Sequence, residues 1–105
     1  MMAVLNDTNN FFDSLLCDYN IRMFQQSSNR KEIVYLGEFF SYRGERFIIS
    51  VIVAQGKTKV QVFNMTGNKK TCVFQKVYST VNDKNSLSKS TSLHKFLNST
   101  LYNWG

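Results

Sequence analysis

Three glycines divide the middle of the chain into segments of similar length. Gly44, Gly56 and Gly67 lie about a dozen residues apart, each in a polar stretch between runs rich in Val, Ile, Phe and Tyr. Glycine adopts the positive φ angles that tight hairpin turns require, so this spacing is typical of consecutive antiparallel strands. The pattern predicts a four-stranded meander over 32–79, with strands at 32–43, 46–54, 57–64 and 69–79.

An amino-terminal helix is predicted before the meander. Asn6, Asp7 and Thr8 are residue types that cap helices, and apolar residues then recur at helical spacing as far as Met23. This spacing favours a helix over 5–25. Asn20 offers an alternative, because asparagine is a residue type that ends helices. The helix would then stop early, and residues 21–26 would form an additional strand.

A carboxyl-terminal helix is predicted after the meander. Residues 81–91 are rich in Asn, Asp, Lys and Ser, a composition typical of a polar loop. Over 92–103, Leu93, Phe96, Leu97 and Leu101 share one helical face. We therefore expect an α+β fold in one domain over 1–105, a four-stranded antiparallel meander with an N-terminal and a C-terminal helix packed on it.

The glycine turns also predict which side chains share a face of the sheet. Two-residue loops at the first two turns would pair Arg43 with Arg46 and Ala54 with Lys57. A third loop of two or four residues leaves the faces unchanged. Glu38 is the one charged residue on the resulting core face. The apolar members of that face are Val34, Leu36, Phe40, Tyr42, Phe47, Ile49, Val51, Val53, Val60, Val62, Val73 and Val77.

The net charge is concentrated in the predicted sheet. The whole chain carries a formal charge of +6, and between Asn29 and Thr80 nine lysines and arginines stand against three glutamates. A basic surface favours acidic partners, either nucleic acid or an acidic protein. The second face of the predicted sheet combines these cations with aromatic rings. Its candidate binding residues are Arg43, Arg46, Lys57, Lys59, Phe63, Lys69, Lys70, Phe74, Lys76 and Tyr78.

Nucleic-acid binding is the first function that this face suggests. Phe63, Phe74 and Tyr78 would stack on unpaired bases, while the lysines neutralise phosphates without reading sequence. The expected activity is binding of single-stranded nucleic acid with low sequence specificity.

A protein-binding role through the same face is the alternative. The chain would act as an interaction or inhibitor protein, for instance a phage or mobile-element accessory protein, or it would form a homodimer. The candidate dimer interface is apolar and consists of Ile33, Tyr35, Phe39, Ile48 and Ile52. In a third arrangement a helix covers this face and the lysines only extend past its edge.

Catalytic and cofactor signatures are missing from the sequence. The sole histidine, His94, is expected to face solvent, and two distant cysteines with one histidine do not suggest a zinc site. Glu38 could be a buried acid or could pair with a neighbouring cation. We expect a non-enzymatic protein without metal or cofactor.

The sequence also predicts where the protein resides. The chain opens without a basic, apolar leader of the signal-peptide type, and no segment reaches the roughly 18 apolar residues of a membrane span. We therefore expect a cytoplasmic protein with no membrane partner. Cys17 and Cys72, far apart in such a chain, are expected to be buried free thiols.

Overall fold

The computed structural model describes residues 2–79 and 91–103 of the chain. Two helices and five strands follow one another as α1 (Met2–Tyr19), β1 (Met23–Ser28), β2 (Glu32–Phe40), β3 (Arg46–Ala54), β4 (Lys57–Thr66), β5 (Lys69–Ser79) and α2 (Thr91–Tyr102). The strands form one antiparallel sheet in sequence order. The α+β class with a helix at each terminus is confirmed, and the predicted number of four strands is wrong. Apart from residue 91, the predicted polar loop over 81–91 lies outside the described residues.

The extra strand exists because the first helix ends at Tyr19 rather than continuing to residue 25. Asn20 has a φ of 57°, in the left-handed region that ends helices. Its N–H and that of Ile21 donate to the carbonyls of Leu16 and Leu15, both at 3.0 Å. The favoured helix over 5–25 is therefore wrong in its last turns, and the alternative of a strand after Asn20 is correct.

The first hairpin places β1 beside β2. Met23 pairs with Gly37 and Ser28 with Ile33, with a bulge between Gln25 and Ser27. Asn29 closes the turn, since its Oδ1 accepts hydrogen bonds from the N–H groups of Lys31 (2.7 Å) and Glu32 (3.0 Å).

The loop between β2 and β3 differs from the prediction and reverses the faces of β2. Phe40 pairs with Arg46, so the loop has five residues, Ser41–Glu45, instead of two. The Ser41 hydroxyl accepts bonds from the N–H groups of Arg43 and Glu45, both at 3.1 Å, and stabilises the longer loop. An odd change in register exchanges the two sides of a strand. The residues thereby removed from the predicted core face are Val34, Leu36, Glu38, Phe40 and Tyr42.

The pairing of β3 with β4 follows the predicted register, with Ala54 opposite Lys57. The β4–β5 hairpin also begins as predicted, with Thr66 opposite Lys69 around a two-residue turn. A bulge then inserts Val73, because Phe63 pairs with Cys72 while Val62 pairs with Phe74. One extra residue reverses the faces of the remaining strand. Two predicted core residues, Val73 and Val77, are consequently exposed.

Both helices pack on the same face of the sheet. Phe11, Leu15 and Tyr19 of α1 form one buried cluster with Leu93 and Leu97 of α2. The sheet contributes Phe39, Phe47, Ile49, Val51, Val60, Val62 and Tyr78 to this cluster. The side chains on the other side of the strands take no part in it. The arrangement in which a helix covers the second face is therefore wrong for α1 and α2.

Among the described residues, no helix combines the length and the hydropathy that are needed to cross a bilayer.

Candidate binding surface on the open face of the sheet

The side of the sheet opposite α1 and α2 is called the open face. Strand pairing defines its members, because residues that are directly paired point to the same side. The open face consists of Phe24, Ser27, Glu32, Val34, Leu36, Glu38, Phe40, Arg46, Ile48, Ser50, Ile52, Ala54, Lys57, Lys59, Gln61, Phe63, Met65, Lys70, Cys72, Gln75 and Val77. The opposite side is called the helix face.

The centre of the open face is mainly apolar. Three adjacent rows cross the strands there, and pairing defines them as Glu38–Ile48–Phe63–Cys72, Phe24–Leu36–Ser50–Gln61–Gln75 and Val34–Ile52–Lys59–Val77. Phe24 is 67% exposed, and Phe40 and Val77 are each 53% exposed. Leu36, Ile48 and Ile52 are only half-buried although they lie on the inner strands of the sheet. Contiguous exposed apolar area of this kind marks interaction surfaces.

Cations lie at both ends of the strands. Arg43, Arg46, Lys69 and Lys70 occupy the end formed by the β2–β3 and β4–β5 turns. Arg30, Lys31, Lys57 and Lys59 occupy the end formed by the β1–β2 and β3–β4 turns. The middle row of the open face, from Phe24 to Gln75, contains no charged residue. The middle row is called the uncharged band. The rows on its two sides carry Glu38 and Lys59, and cations outnumber carboxylates at both margins of the sheet.

Most of these cations have no carboxylate partner. In the described part of the chain, the one ion pair joins the side chains of Arg46 and Glu38, which are about half exposed. An exposed pair of this kind contributes little to stability, about 0–1 kcal/mol. Glu38 is thus a surface residue paired with a cation, and its placement on the core face is corrected.

Lys70 and Phe63 form a specific contact within the open face. The Lys70 Nζ lies 4.2 Å from the centroid of the Phe63 ring, which is cation–π distance. Gln61 and Gln75 are hydrogen-bonded to each other at 2.9 Å in the neighbouring row. Polar side chains of β4 and β5 therefore contact other side chains of the same two strands. In the three central rows, the polar side chains that β2 and β3 contribute are Glu38 and Ser50.

The structure separates the predicted nucleic-acid residues into two groups. Lys57, Lys59, Phe63, Lys70 and Arg46 lie together on the open face. Arg43 lies in the β2–β3 loop, and Lys69 lies beside the β4–β5 turn, opposite Thr66 on the helix-face side. The three remaining residues, Phe74, Lys76 and Tyr78, lie on the helix face. The bulge at Val73 causes this separation, because the predicted register had no extra residue in β5.

The three residues on the helix face have structural contacts there. Phe74 packs on Phe96 of α2 with 5.4 Å between ring centroids, and Tyr78 is 2% exposed. The Lys76 Nζ donates to the Ser92 hydroxyl at 3.3 Å and lies 5.3 Å from the Tyr78 ring centroid. These rings form part of the core and its edge, so they are not platforms on the open face.

The predicted dimer residues are divided in the same way. Ile48 and Ile52 belong to the open face, whereas Ile33, Tyr35 and Phe39 belong to the helix face. Phe39 is stacked on Phe47 at 5.3 Å, and the Tyr35 ring meets Phe12 of α1 edge-on at 4.8 Å. The correction follows from the five-residue loop after Phe40, which reverses the faces of β2.

Sequence reasoning missed Phe24, Val34, Leu36 and Phe40, which take the place of the misassigned residues. The position of Phe24 on the sheet could have been predicted from Asn20, because a helix that ends at Asn20 leaves residue 24 in the following strand. For the other three, the signal was the pattern within β2 itself. The side of β2 that carries Glu38 is less suited to burial than the side that carries Gly37.

A second cluster of polar side chains lies where the two helices meet. The Tyr19 hydroxyl lies 3.1 Å from His94 Nδ1 and donates to Asn98 Oδ1 at 2.9 Å. With its own proton directed to Asn98, the hydroxyl is the acceptor of a hydrogen bond from His94 Nδ1–H. Tyr102 donates to the carbonyl of Asp18 at 2.6 Å. His94 is therefore half-buried and bonded, not facing solvent as predicted.

This cluster lines an open cleft of about 540 Å³, together with Cys17. Burial raises the pKa of the Tyr19 phenol, and the nearby Asp18 and Tyr102 raise it further.

Cys17 and Cys72 are free thiols as predicted, but both are exposed rather than buried. The described residues form no group of three or more histidine, cysteine or acidic side chains that could hold a metal ion. The hydrogen bonds of Tyr19 with His94 and Asn98, and of Tyr102 with the Asp18 carbonyl, connect α1 to α2.

Comparisons of the chain with protein-family models, with curated proteins and with solved structures found no match.

Proposed function

We propose that this chain is a non-catalytic protein-binding module and that the open face is its docking surface. One observation carries the proposal: α1 and α2 cover the same side of the sheet, and the apolar rows on the other side stay uncovered by either helix. Leaving side chains such as Phe24 and Phe40 in water forgoes about 1.5–3 kcal/mol for each that a partner could bury. A partner that covers these rows would recover part of that free energy.

The residue types of the open face suit a protein better than bare nucleic acid. Val34, Leu36, Ile48 and Ile52 are aliphatic and have no flat ring on which a base could stack. Phe63 is the one ring of the three expected to stack that lies on this face, and Lys70 already lies over it. Apolar centres surrounded by polar rims are typical of protein interfaces.

Site-specific cross-linking tests this proposal. A photo-crosslinking amino acid replaces Gln61 in the middle row or, as a matched control, the exposed Lys95 on α2, in the cells from which the sequence comes. We expect one protein to cross-link at position 61 and not at position 95. Binding of that protein, remeasured after purification, should be lost when Phe24→Ser and Ile52→Ser are combined.

Equal cross-linking at positions 61 and 95 would contradict the proposal, as would unchanged binding by the double variant. A circular dichroism melt of each variant first establishes that it is folded.

Single-stranded nucleic acid is the second candidate ligand, favoured by the cations along β4. Lys57, Lys59 and Lys70 lie on one face with Phe63, an arrangement that could contact phosphates and one base. Retention of the purified chain on an oligothymidine column should then fall steeply between about 50 mM and about 500 mM salt. Failure to bind at the lower salt concentration would exclude this candidate.

A further inference from the structure

We infer that the partner is an acidic amphipathic helix, whose apolar stripe lies on the uncharged band and whose carboxylates contact both basic margins. This inference rests on the proposed protein-binding function and specifies the chemistry of the partner. The distribution of charge on the open face is the reason. Lys57 and Lys59 lie at one margin, with Glu32 in the row of Lys57, and Arg46 and Lys70 lie at the other. Of these four cations, only Arg46 forms an ion pair among the described residues, with Glu38.

The dimensions of the three central rows fit one helix. Successive rows are two residues apart along the strands, so the three central rows span about 14 Å from the first to the third. An α-helix with its side chains is about 10–12 Å wide. Five strands extend about 19 Å across the sheet, which is the length of about 13 helical residues. A helix of three to four turns would therefore cover the three central rows, with its apolar stripe on the uncharged band and its two flanks beside Lys59 and Lys70.

A second copy of this chain fits the open face less well. Face-to-face sheet packing keeps the strands within about 30° of each other, so each end of one sheet lies over an end of the other. Both ends are basic here, and a two-fold axis would therefore bring cations over cations in either direction. Like charges facing each other across an interface are unfavourable. A partner with acidic flanks removes this repulsion.

Nucleic acid fits the uncharged band less well for a related reason. A backbone that followed the strands from Lys59 to Lys70 would cross the row of Leu36, Ser50 and Gln61. Its phosphates there would lose water without gaining a cation, which is costly for a charged group. The carboxylates of an amphipathic helix can instead be confined to its two flanks.

Two synthetic peptides of about 18 residues test the inference directly. Both carry a leucine stripe at helical spacing, flanked on each side by glutamates in one peptide and by lysines in the other. Fluorescence anisotropy with the purified chain measures their dissociation constants. We expect the glutamate peptide to bind at least about 10-fold more tightly, because it complements both margins.

Variants locate the binding within the chain. Combining Lys57→Glu with Lys59→Glu should weaken binding of the glutamate peptide about 10-fold, and so should Arg46→Glu combined with Lys70→Glu. Lys95→Glu, on the exposed side of α2, is the control for a charge reversal away from the open face and should leave the dissociation constant unchanged. Phe24→Ser should weaken binding of both peptides, since it removes apolar contact.

Three results would overturn the inference. Equal binding of the two peptides would show that the margins do not select charge. Tighter binding of oligothymidine than of the glutamate peptide would identify nucleic acid as the ligand. Dimerisation in sedimentation experiments that is lost in Ile52→Ser would identify a second copy. If neither peptide binds while cross-linking at position 61 still captures a protein, the helix is wrong and the proposed docking function stands.

Discussion

At the scale of single residues, Gly37 determines how closely the first hairpin can approach the end of α1. It lies in the middle of β2, on the helix face, opposite Met23 and Ile49. A Cβ atom at this position would lie 2.5 Å from Met23 Sδ and 2.9 Å from the carbonyl oxygen of Arg22. Only glycine leaves room for that backbone oxygen, so the path of the chain after Asn20 depends on it.

Gly37→Ala should therefore lower the free energy of unfolding by about 1–3 kcal/mol, the usual cost of inserting a group into a packed site. Urea denaturation of the purified variant measures this loss. Most of the loss should persist when Met23→Ala is added, because the Arg22 carbonyl belongs to the backbone and remains in place. An unchanged urea midpoint for the single variant would show that β1 is free to move away.

Tyr19 should make stability depend on alkaline pH. Burial, followed by Asp18 and Tyr102, raises the pKa of its phenol, so the folded chain keeps a proton that the unfolded chain releases from about pH 10. The stabilisation is complete below that pH and is lost as the pH rises through the folded-state pKa. Urea unfolding at several pH values from about 7 to about 11 should show this decline.

Tyr19→Phe should reduce the alkaline decline and cost about 1–2 kcal/mol at neutral pH, because the bonds to His94 and Asn98 are lost. Tyr42→Phe is the matched control, since Tyr42 is exposed in the β2–β3 loop. Identical pH profiles for the two variants would rule out this role of Tyr19.

At the scale of elements, the bulge in β5 is the feature that separates core rings from surface cations. Before the bulge, Cys72 shares the open face with Phe63, and after it Phe74 and Tyr78 enter the core. Val73 is the inserted residue and remains exposed. The bulge therefore lets one strand supply the open face in its first part and the core in its second part.

Deleting Val73 should leave the fold intact. The pairs Phe63–Cys72 and Val62–Phe74 would then be consecutive in a regular ladder, and Phe74 and Tyr78 would keep their places. We expect a change in the free energy of unfolding within about 1 kcal/mol, because only an exposed residue is removed. Thermal melting followed by circular dichroism measures it.

Deleting Gln75 is the matched control for the bulge. This deletion would move Phe74 to the open face if the pairing after the bulge is kept, and it should destabilise the chain by about 3 kcal/mol or more. If deleting Val73 lowers the free energy of unfolding more than deleting Gln75 does, the assignment of the bulge is wrong.

At the scale of the whole molecule, the fold is two layers with one side of the sheet left uncovered by α1 and α2. Val51 is fully buried on the helix face, and its neighbour Ile52 is half-buried on the open face. Substitutions at these two adjacent residues of β3 therefore test the helix face and the open face separately.

Val51→Asp should unfold the protein, because an unpaired carboxylate in the core is costly by several kcal/mol. Ile52→Asp should still melt cooperatively, since its side chain can reach water beside Lys59. Thermal melts of the two variants make the comparison. Cooperative melting of Val51→Asp, or unfolding of Ile52→Asp, would show that the faces of β3 are reversed.

Much of the fold could be predicted from short-range sequence signals. Gly44, Gly56 and Gly67 all have positive φ angles of 59–84°, as hairpin turns require. The β3–β4 register, the apolar stripe of α2 and the core side of β3 and β4 followed from alternation and turn type. The side assignments of Lys57, Lys59, Phe63 and Lys70 on the candidate surface were correct for the same reason.

The remaining assignments depended on single residues that no periodic pattern shows. The sequence around Asn20 is compatible with a helix that continues and with a helix that ends there. Only the pairing of residues 23–28 with β2 favours the strand. The loop of Ser41–Glu45 and the bulge at Val73 each change a register by an odd number of residues. Both sides of β2 are rich in apolar residues, so alternation alone did not identify which side is buried.

The sequence by itself determined the presence of two terminal helices, the order of β2 to β5 and the two-residue turns after β3 and β4, because φ preferences and periodicity act over a few residues. Only the tertiary structure decided which sides of β2 and of the second half of β5 face the helices. The reason is that an odd register change costs little within one hairpin but moves several large side chains into or out of the core. Packing of Phe39, Phe74 and Tyr78 beneath two helices made that choice, and it left Leu36, Ile48 and Ile52 on the open face.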